Sequence, residues 1–443
     1  MMPQQMSSPP DGLAGRKKLG LFGAFAVVLG FVVGASIFVL PGGLYSIAGP
    51  AMLLSFAIAA IPAALSCVIA AQVGSAFPTD AANIVMVRRV LSPFWGAATA
   101  WSFVGSSIAA LPLIAYGFAD YLAAIYAPLA PHRSVVALSV IALFTCVNVV
   151  GAKLAATFQT LMVICLLAAL LLFIIKGAPS ISFDYFSPFA PNGLRGVAFA
   201  VVPAFFAYLG FSLIVEIAGE VAKPERTIPL ALGLSFGVIT LLYLIVAATI
   251  IGVLPAEDLS SSGSAIAAAA AKAAPGWPAT FITAGALLAT ATTINAIILL
   301  ASRDAAAFLA SAQGMQLTGS ELTPAQRLTA VLVVGLAGLA SAFAAAAIAS
   351  YAIATVIGFL IAKSIICAAA LRLPAYFGPA YRDLAFKLDQ SKLRFVSWAL
   401  LIVTMVFIVM SLLGEPGATI AILLYMALGT AIFGAGQWVF SRR

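Results

Sequence analysis

A succession of apolar runs constrains this chain more than any other feature. The runs fall near 22–46, 51–76, 95–127, 133–151, 155–176, 197–221, 228–254, 278–302, 327–343, 346–371, 395–413 and 417–440. A helix of about 20 residues crosses the roughly 30 Å hydrocarbon layer of a bilayer, so twelve spans are expected, the Ala/Gly-rich run at 327–343 being the shortest. With 63% hydrophobic and 8% charged residues and a mean hydropathy of +1.15, the chain has too few polar side chains to cover a water-facing globule. Its solvent must be lipid. Lipid offers no partner to backbone polar groups, which leaves helices or closed barrels; runs of this length select helices, and the expected fold class is all-α integral membrane.

The positive charges give an orientation. With the N-terminus inside, 17 of the Lys and Arg residues fall on cytoplasmic segments and 4, Arg133, Lys176, Arg195 and Lys272, on outer ones, leaving Lys363 within a span. Cytoplasmic loops are the Lys/Arg-rich ones, so both termini are expected in the cytoplasm of a multi-pass cell-membrane protein. The net charge of +8 is then explained by topology, and no nucleic-acid partner is implied. Arg16-Lys17-Lys18 ahead of an apolar run resembles a signal peptide, but the run is too long and ends in Pro41-Gly42-Gly43, so a retained helix is expected. Residues 1–17 read as a mobile cytoplasmic tail and 18–443 as one transmembrane domain.

Two spans are interrupted. Gly34-Ala35-Ser36 lies in the middle of the first, and Leu209-Gly210-Phe211-Ser212 interrupts the sixth before a Pro-bounded charged loop. A break in a lipid-buried helix frees backbone groups, and in transporters these hold a substrate or ion near the midplane. Small residues also serve close helix packing, an equal alternative for either break taken alone. Past Ala35-Ser36 a new helix begins, whose first amides and dipole suit a carboxylate. The segments ending near Val32 and near Phe206 to Leu209 leave carbonyls that suit an ammonium.

Other chemistry is poorly supplied. Cys67, Cys146, Cys165 and Cys367 lie within spans at no metal-like spacing, where cysteine is a small apolar residue. His132 is the single histidine and sits on an outer loop, so neither a histidine metal site nor a histidine triad is available. No enzyme, cofactor or metal is implied, with sodium the one cation left open.

The stretch FAYLGFSLIVEIAGEVAKPERTIPLAL, 206–232, resembles the sixth-helix signature of amino acid permeases of the amino acid, polyamine and organocation superfamily. Gly34-Ala35-Ser36-Ile37-Phe38 is similar to the family's first-helix G-S-G-I-F, Ala76 to Ala82 to its loop RFPxAGG, and Asn295 with Ser302-Arg303 to its eighth-helix N-A-x-x-L-x-x-S-R. The resemblance covers about 18–440. It implies the leucine-transporter fold: a five-plus-five inverted repeat, about 18–176 and 197–372, with discontinuous helices 1 and 6, plus helices 11 and 12 at about 395–440. It also implies an α-amino acid as partner, moved across the plasma membrane by a secondary active transporter working by alternating access.

On that resemblance the substrate-binding residues are Val32, Gly34, Ala35, Ser36, Ile37, Phe206, Leu209, Gly210 and Ser212, with Phe103, Val104 and Ile108 lining helix 3. Ser212 stands where arginine/agmatine antiporters carry Glu, Ile108 where they carry Asn, and Phe206 at their gating Trp. A pocket without a carboxylate would leave a second buried cation unpaired, which is costly, so a small or medium neutral amino acid is expected; ordinary core packing is the plain alternative for the helix 3 stripe. An amine or polyamine transporter, or an exchanger of the same fold, is the alternative function.

Coupling stays open among three routes. Relatives that carry a Lys midway along helix 5 have Leu166 as its counterpart here, and Lys153 lies too near the cytoplasmic end to replace it. Thr290, Thr292 and Thr293 could bind sodium with helix 1 carbonyls, Glu216 or Lys363 could carry a proton, and exchange needs neither. Intramembrane charges are expensive and usually functional, so Glu216 and Lys363 could pair or gate at the inner vestibule; the plainer reading, that Lys363 snorkels and Glu216 is merely wetted, is the favoured one. Glu220, Lys223, Arg226 and Arg303 are expected to form an inner gate, or else to serve only as helix ends and topology signals. The 374–394 segment reads as an interfacial connector and 255–277 as an outer loop capping the vestibule. The identity of the amino acid, the oligomeric state and the direction of transport have no sequence signal.

Overall fold

A computed structural model describes residues 18–79, 81–150, 155–312, 323–343 and 348–440. Among these the chain is helical, apart from turns and one isolated parallel bridge between Leu19 and Val221. The helices are α1 (Leu21–Val33), α2 (Ser36–Ala48), α3 (Met52–Ala76), α4 (Ala82–Val90), α5 (Pro93–Ile125), α6 (Arg133–Val150), α7 (Ala155–Gly177), α8 (Gly193–Phe205) and α9 (Leu213–Glu216). They continue as α10 (Pro224–Val253), α11 (Ala256–Ser261), α12 (Ala265–Ala273), α13 (Trp277–Ala312), α14 (Pro324–Phe343), α15 (Ile348–Ala370), α16 (Leu373–Phe377), α17 (Gln390–Gly414) and α18 (Pro416–Phe440).

Eleven stretches are long and apolar enough to cross a membrane, where the sequence led us to expect twelve. The difference lies in Leu21–Ala76, a run of 56 residues that joins the first two expected spans through the 3-10 turn Gly49–Ala51. At about 1.5 Å per residue it is well over twice the hydrocarbon thickness, and it turns at Gly49, whose φ is +61°.

Both interrupted spans are broken in the structure. The first is split into α1 and α2 around Gly34-Ala35. The other ends as α8 at Phe205, passes through a 3-10 segment, Phe206–Ser212, and resumes as the single turn α9. Pro203, near the end of α8, has no N–H to donate and so weakens the ladder just before the change.

Around these broken helices α5 packs against α13 and α15, α3 against α10, and α7 against α13. The α11–α12 segment lies on this core: a Cβ on Gly42 of α2 would stand 2.5 Å from the Ser262 carbonyl, and Asp120 of α5, which ion-pairs with Arg133 at 2.6 Å, lies against Gly263. At the opposite end the 374–394 connector docks on α3, where the Leu388 amide donates to Gln72 Oε1 at 2.7 Å and Phe377 packs 5.7 Å from Phe77.

Candidate substrate site

The two breaks meet backbone to backbone. A Cβ on Gly210 would lie 2.9 Å from both the Phe31 carbonyl oxygen and Val32 Cα, a separation that real Cβ atoms do not tolerate against backbone. Glycine therefore permits the 3-10 segment to lie directly on the end of α1. A Cβ on Gly34 would lie 2.8 Å from Thr293 Oγ1, so the first break also touches α13.

The freed carbonyls share a donor from a residue absent from the sequence-derived site. Tyr243, in the middle of α10 and fully buried, places its hydroxyl 2.6 Å from the Val32 carbonyl, 3.0 Å from the Ala207 carbonyl and 3.0 Å from Ser36 Oγ. A phenol has one proton, so at most one of these carbonyls receives it at a time and lone pairs remain for another donor. Ser36 Oγ also donates to the Val32 carbonyl at 3.2 Å. One point thus gathers carbonyls from the end of α1 and from the 3-10 segment after α8 with the first residue of α2, whose opening amides face no preceding helical turn. The signal available in the sequence was one tyrosine inside the apolar run 238–247, because a buried Tyr hydroxyl in lipid must find a partner.

Apolar groups surround this point. Val32, Ala35, Ile37 and Phe206 are buried, while Leu209 and Gly210 are half-buried. The Tyr208 ring lies 5.6 Å from Tyr243 and 6.4 Å from Phe211. Phe359 of α15 stands 5.9 Å from Phe103 and 6.5 Å from Phe205, which brings Phe103 into the wall beside the second break. Val104 is buried and Ile108 half-buried on the same helix. The Ser212 side chain lies outside the described residues, as do Asp80 and Lys153. Leu166 is buried on α7.

Of the three threonines on α13, Thr293 is the one set against Gly34, and its hydroxyl donates to the Ala289 carbonyl at 2.8 Å. Thr290 and Thr292 likewise spend their protons on carbonyls of their own helix. Glu220, Lys223, Arg226 and Arg303 are all exposed, and among the described residues no ion pair joins one to another.

Glu216 closes α9 and is held from the loop that carries α4. Asn83 Nδ2 donates to its Oε1 at 2.6 Å, and its backbone carbonyl accepts from the Ala81 amide at 3.0 Å. Ala81 is left-handed, with φ of 53°, a conformation natural to the glycine of the resembling loop motif. Lys363 does not snorkel: it is fully buried with Nζ 5.4 Å from the Phe359 ring.

A methylthioribose transporter of Bacillus subtilis is 28% identical over 55% of this chain and 57% of its own length. The branched-chain amino acid permease BcaP of the same organism is 24% identical over 68% of both chains, and an uncharacterized transporter, Rv1999c, of Mycobacterium tuberculosis is 29% identical over 66% of both. The chain thus spans a little over half to about two thirds of the length of these relatives. The family model for amino acid permeases matches residues 19–433, nearly the whole helical bundle described above. With that match the chain belongs to the amino acid permease family.

Proposed function

We propose that this chain is a secondary active transporter that moves a small or medium neutral α-amino acid across the plasma membrane by alternating access. The observation that carries the reading is the convergence of the two helix breaks: Val32 and Ala207 carbonyls beside the start of α2 at Ser36. An ammonium, with three donors, fits the carbonyl side, and a carboxylate fits the amides that open α2. Backbone reads the zwitterion, while Phe103, Phe205, Phe206 and Ile37 present hydrocarbon to the side chain.

The helix packing supports twelve spans arranged as an inverted repeat. If α1–α2 is span 1 and α8–α9 span 6, then α5, α7, α13 and α15 are spans 3, 5, 8 and 10. Advancing both members of a packed pair by five spans gives another packed pair. The contact of α5 with α15 has its counterpart in α13 with α7, that of α5 with α6 in α13 with α14, and that of α1 with α10 in α8 with α3. In this frame α17 and α18 are the two added helices.

Glu216 favours an amino acid over a simple amine or polyamine, since its carboxylate is engaged by Asn83 of the cytoplasmic loop. The name of the branched-chain permease relative agrees with an apolar pocket, whereas the methylthioribose relative makes substrate identity an experimental matter. The test is uptake of labelled amino acids into proteoliposomes, with sodium gradient, proton gradient and internal amino acid applied separately. Saturable uptake or counterflow of a neutral amino acid is expected. Transport of a polyamine and no amino acid would overturn the reading.

A further inference from the structure

We propose that Glu216, Asp304 and Lys363, steadied by Asn83, form a proton-binding site on the cytoplasmic side of the helix breaks that couples inward opening to proton release. The proposal rests on the transporter reading above. Four elements, α9, α4, α13 and α15, supply the groups. Asn83 of α4 donates to Glu216 Oε1 at 2.6 Å; Asp304 of α13 and Lys363 of α15 both lie within electrostatic reach of Glu216.

Lys363 and Asn83 point to a missing ligand. Lys363 is fully buried, and its Nζ has no hydrogen-bond partner among the described residues. Asn83 is also fully buried, and among the described residues its Oδ1 lacks a donor although the Nδ2 of the same amide holds Glu216. Unmet buried polar atoms are costly, and a proton on a neighbouring carboxyl supplies the donor that Asn83 Oδ1 lacks.

Charge count gives the same answer. Asp304 of α13 faces Glu216 and Arg303, and Lys363 of α15 faces Glu216, Cys367 of its own helix and Cys67 of α3. No residue of α1 is charged, and α4 turns Arg88 toward Gly96 of α5. Among the described residues two carboxylates here face one ammonium, while Arg303 is exposed. One proton makes the buried set neutral and removes the repulsion between the acids. When water enters from the cytoplasm, the surplus carboxylate is hydrated and the proton is no longer needed there. The step is a simple transfer: a proton from outer water adds to a carboxylate oxygen of Asp304 or Glu216, and the same O–H bond later breaks to a cytoplasmic water.

The site also touches the pocket wall. The Phe359 ring, one turn from Lys363, meets the Lys363 ammonium at 5.4 Å and the Phe103 and Phe205 rings at 5.9 and 6.5 Å. Substrate pressing on those rings moves the same ring that lies against the ammonium.

The experiment measures accumulation of labelled leucine and alanine in proteoliposomes with and without an outside-acid gradient, alongside counterflow in the same vesicles. One coupled proton raises accumulation about tenfold per pH unit, or about 1.4 kcal/mol. Glu216→Gln and Asp304→Asn are expected to erase that factor, and Lys363→Met to shift the external pH at which it appears. Glu216→Asp, which keeps the carboxyl, is expected to restore it. Wild-type counterflow with no response to the gradient overturns the proposal and leaves the transporter reading standing. So does a full tenfold response in Glu216→Gln and Asp304→Asn. Absence of wild-type counterflow for every amino acid overturns the transporter reading and this proposal with it.

Discussion

Gly210→Val is expected to leave uptake at background while the protein still inserts and purifies. Even a bare Cβ at this position would lie 2.9 Å from the Phe31 carbonyl oxygen and from Val32 Cα. These are backbone atoms of the opposing break, and they have no side chain to swing aside. Valine adds two methyl groups to that collision, so the 3-10 segment and α1 must separate. Overpacking of this kind costs about 1–3 kcal/mol, and a shift of about 1 Å at a positioning site can cost on the order of a hundredfold in rate. The matched control is Gly233→Val on α10, where nothing lies within 4 Å of the added Cβ; it should transport normally. Equal activity in the two variants would show that the closeness of the breaks has no part in transport.

Tyr243→Phe is expected to raise the KM for substrate by about tenfold or more, with little change in folding. The ring keeps its neighbours Phe56, at 6.1 Å, and Tyr208, at 5.6 Å. What disappears is the one hydroxyl set between the Val32 and Ala207 carbonyls and Ser36 Oγ. Leaving a buried carbonyl unsatisfied costs about 1–3 kcal/mol, and every 1.4 kcal/mol is a factor of ten. If those carbonyls also take the substrate ammonium, losing the hydroxyl lets them tilt away from the binding direction. Concentration-dependent uptake by wild type and variant measures the change directly; an unchanged KM would mean that the carbonyls are held by their helices alone.

The helical class and both break positions were legible because they depend on local sequence. Long apolar runs select helices in lipid, and Gly34 and Gly210 mark where a helix cannot continue undisturbed. The pairing of the breaks was also foreseeable, since the carbonyls ending one segment and the amides starting the next have to face something. The long-range donors were not legible. Tyr243 comes from α10, more than 200 residues along the chain from Val32, and no spacing rule links them. Asp304 escaped notice because it follows Arg303 and reads as part of a charged helix end, although α13 runs on to Ala312. Asn83 sits in a loop helix whose sequence, ANIVMVRRV, draws attention to its arginines. Lys363 was visible as a charge within a span, but only the packing of Phe359 and the burial of its ammonium separate it from a snorkelling lysine. The span count differed at Leu21–Ala76 because hydropathy runs unbroken through the turn at Gly49-Pro50.

The claim that the two breaks hold both charges of an α-amino acid is tested most directly by competition. Uptake of labelled leucine is measured against unlabelled leucine, isoamylamine, which lacks the carboxylate, and 4-methylpentanoic acid, which lacks the ammonium. Hydrogen bonds to charged groups are worth about 1.5–3 kcal/mol each, so removing either charge should weaken competition by about tenfold to more than a hundredfold. Neutral amino acids with altered side chains should lose much less. If the amine competes as well as leucine, the start of α2 does not hold a carboxylate, and the account of the site is wrong.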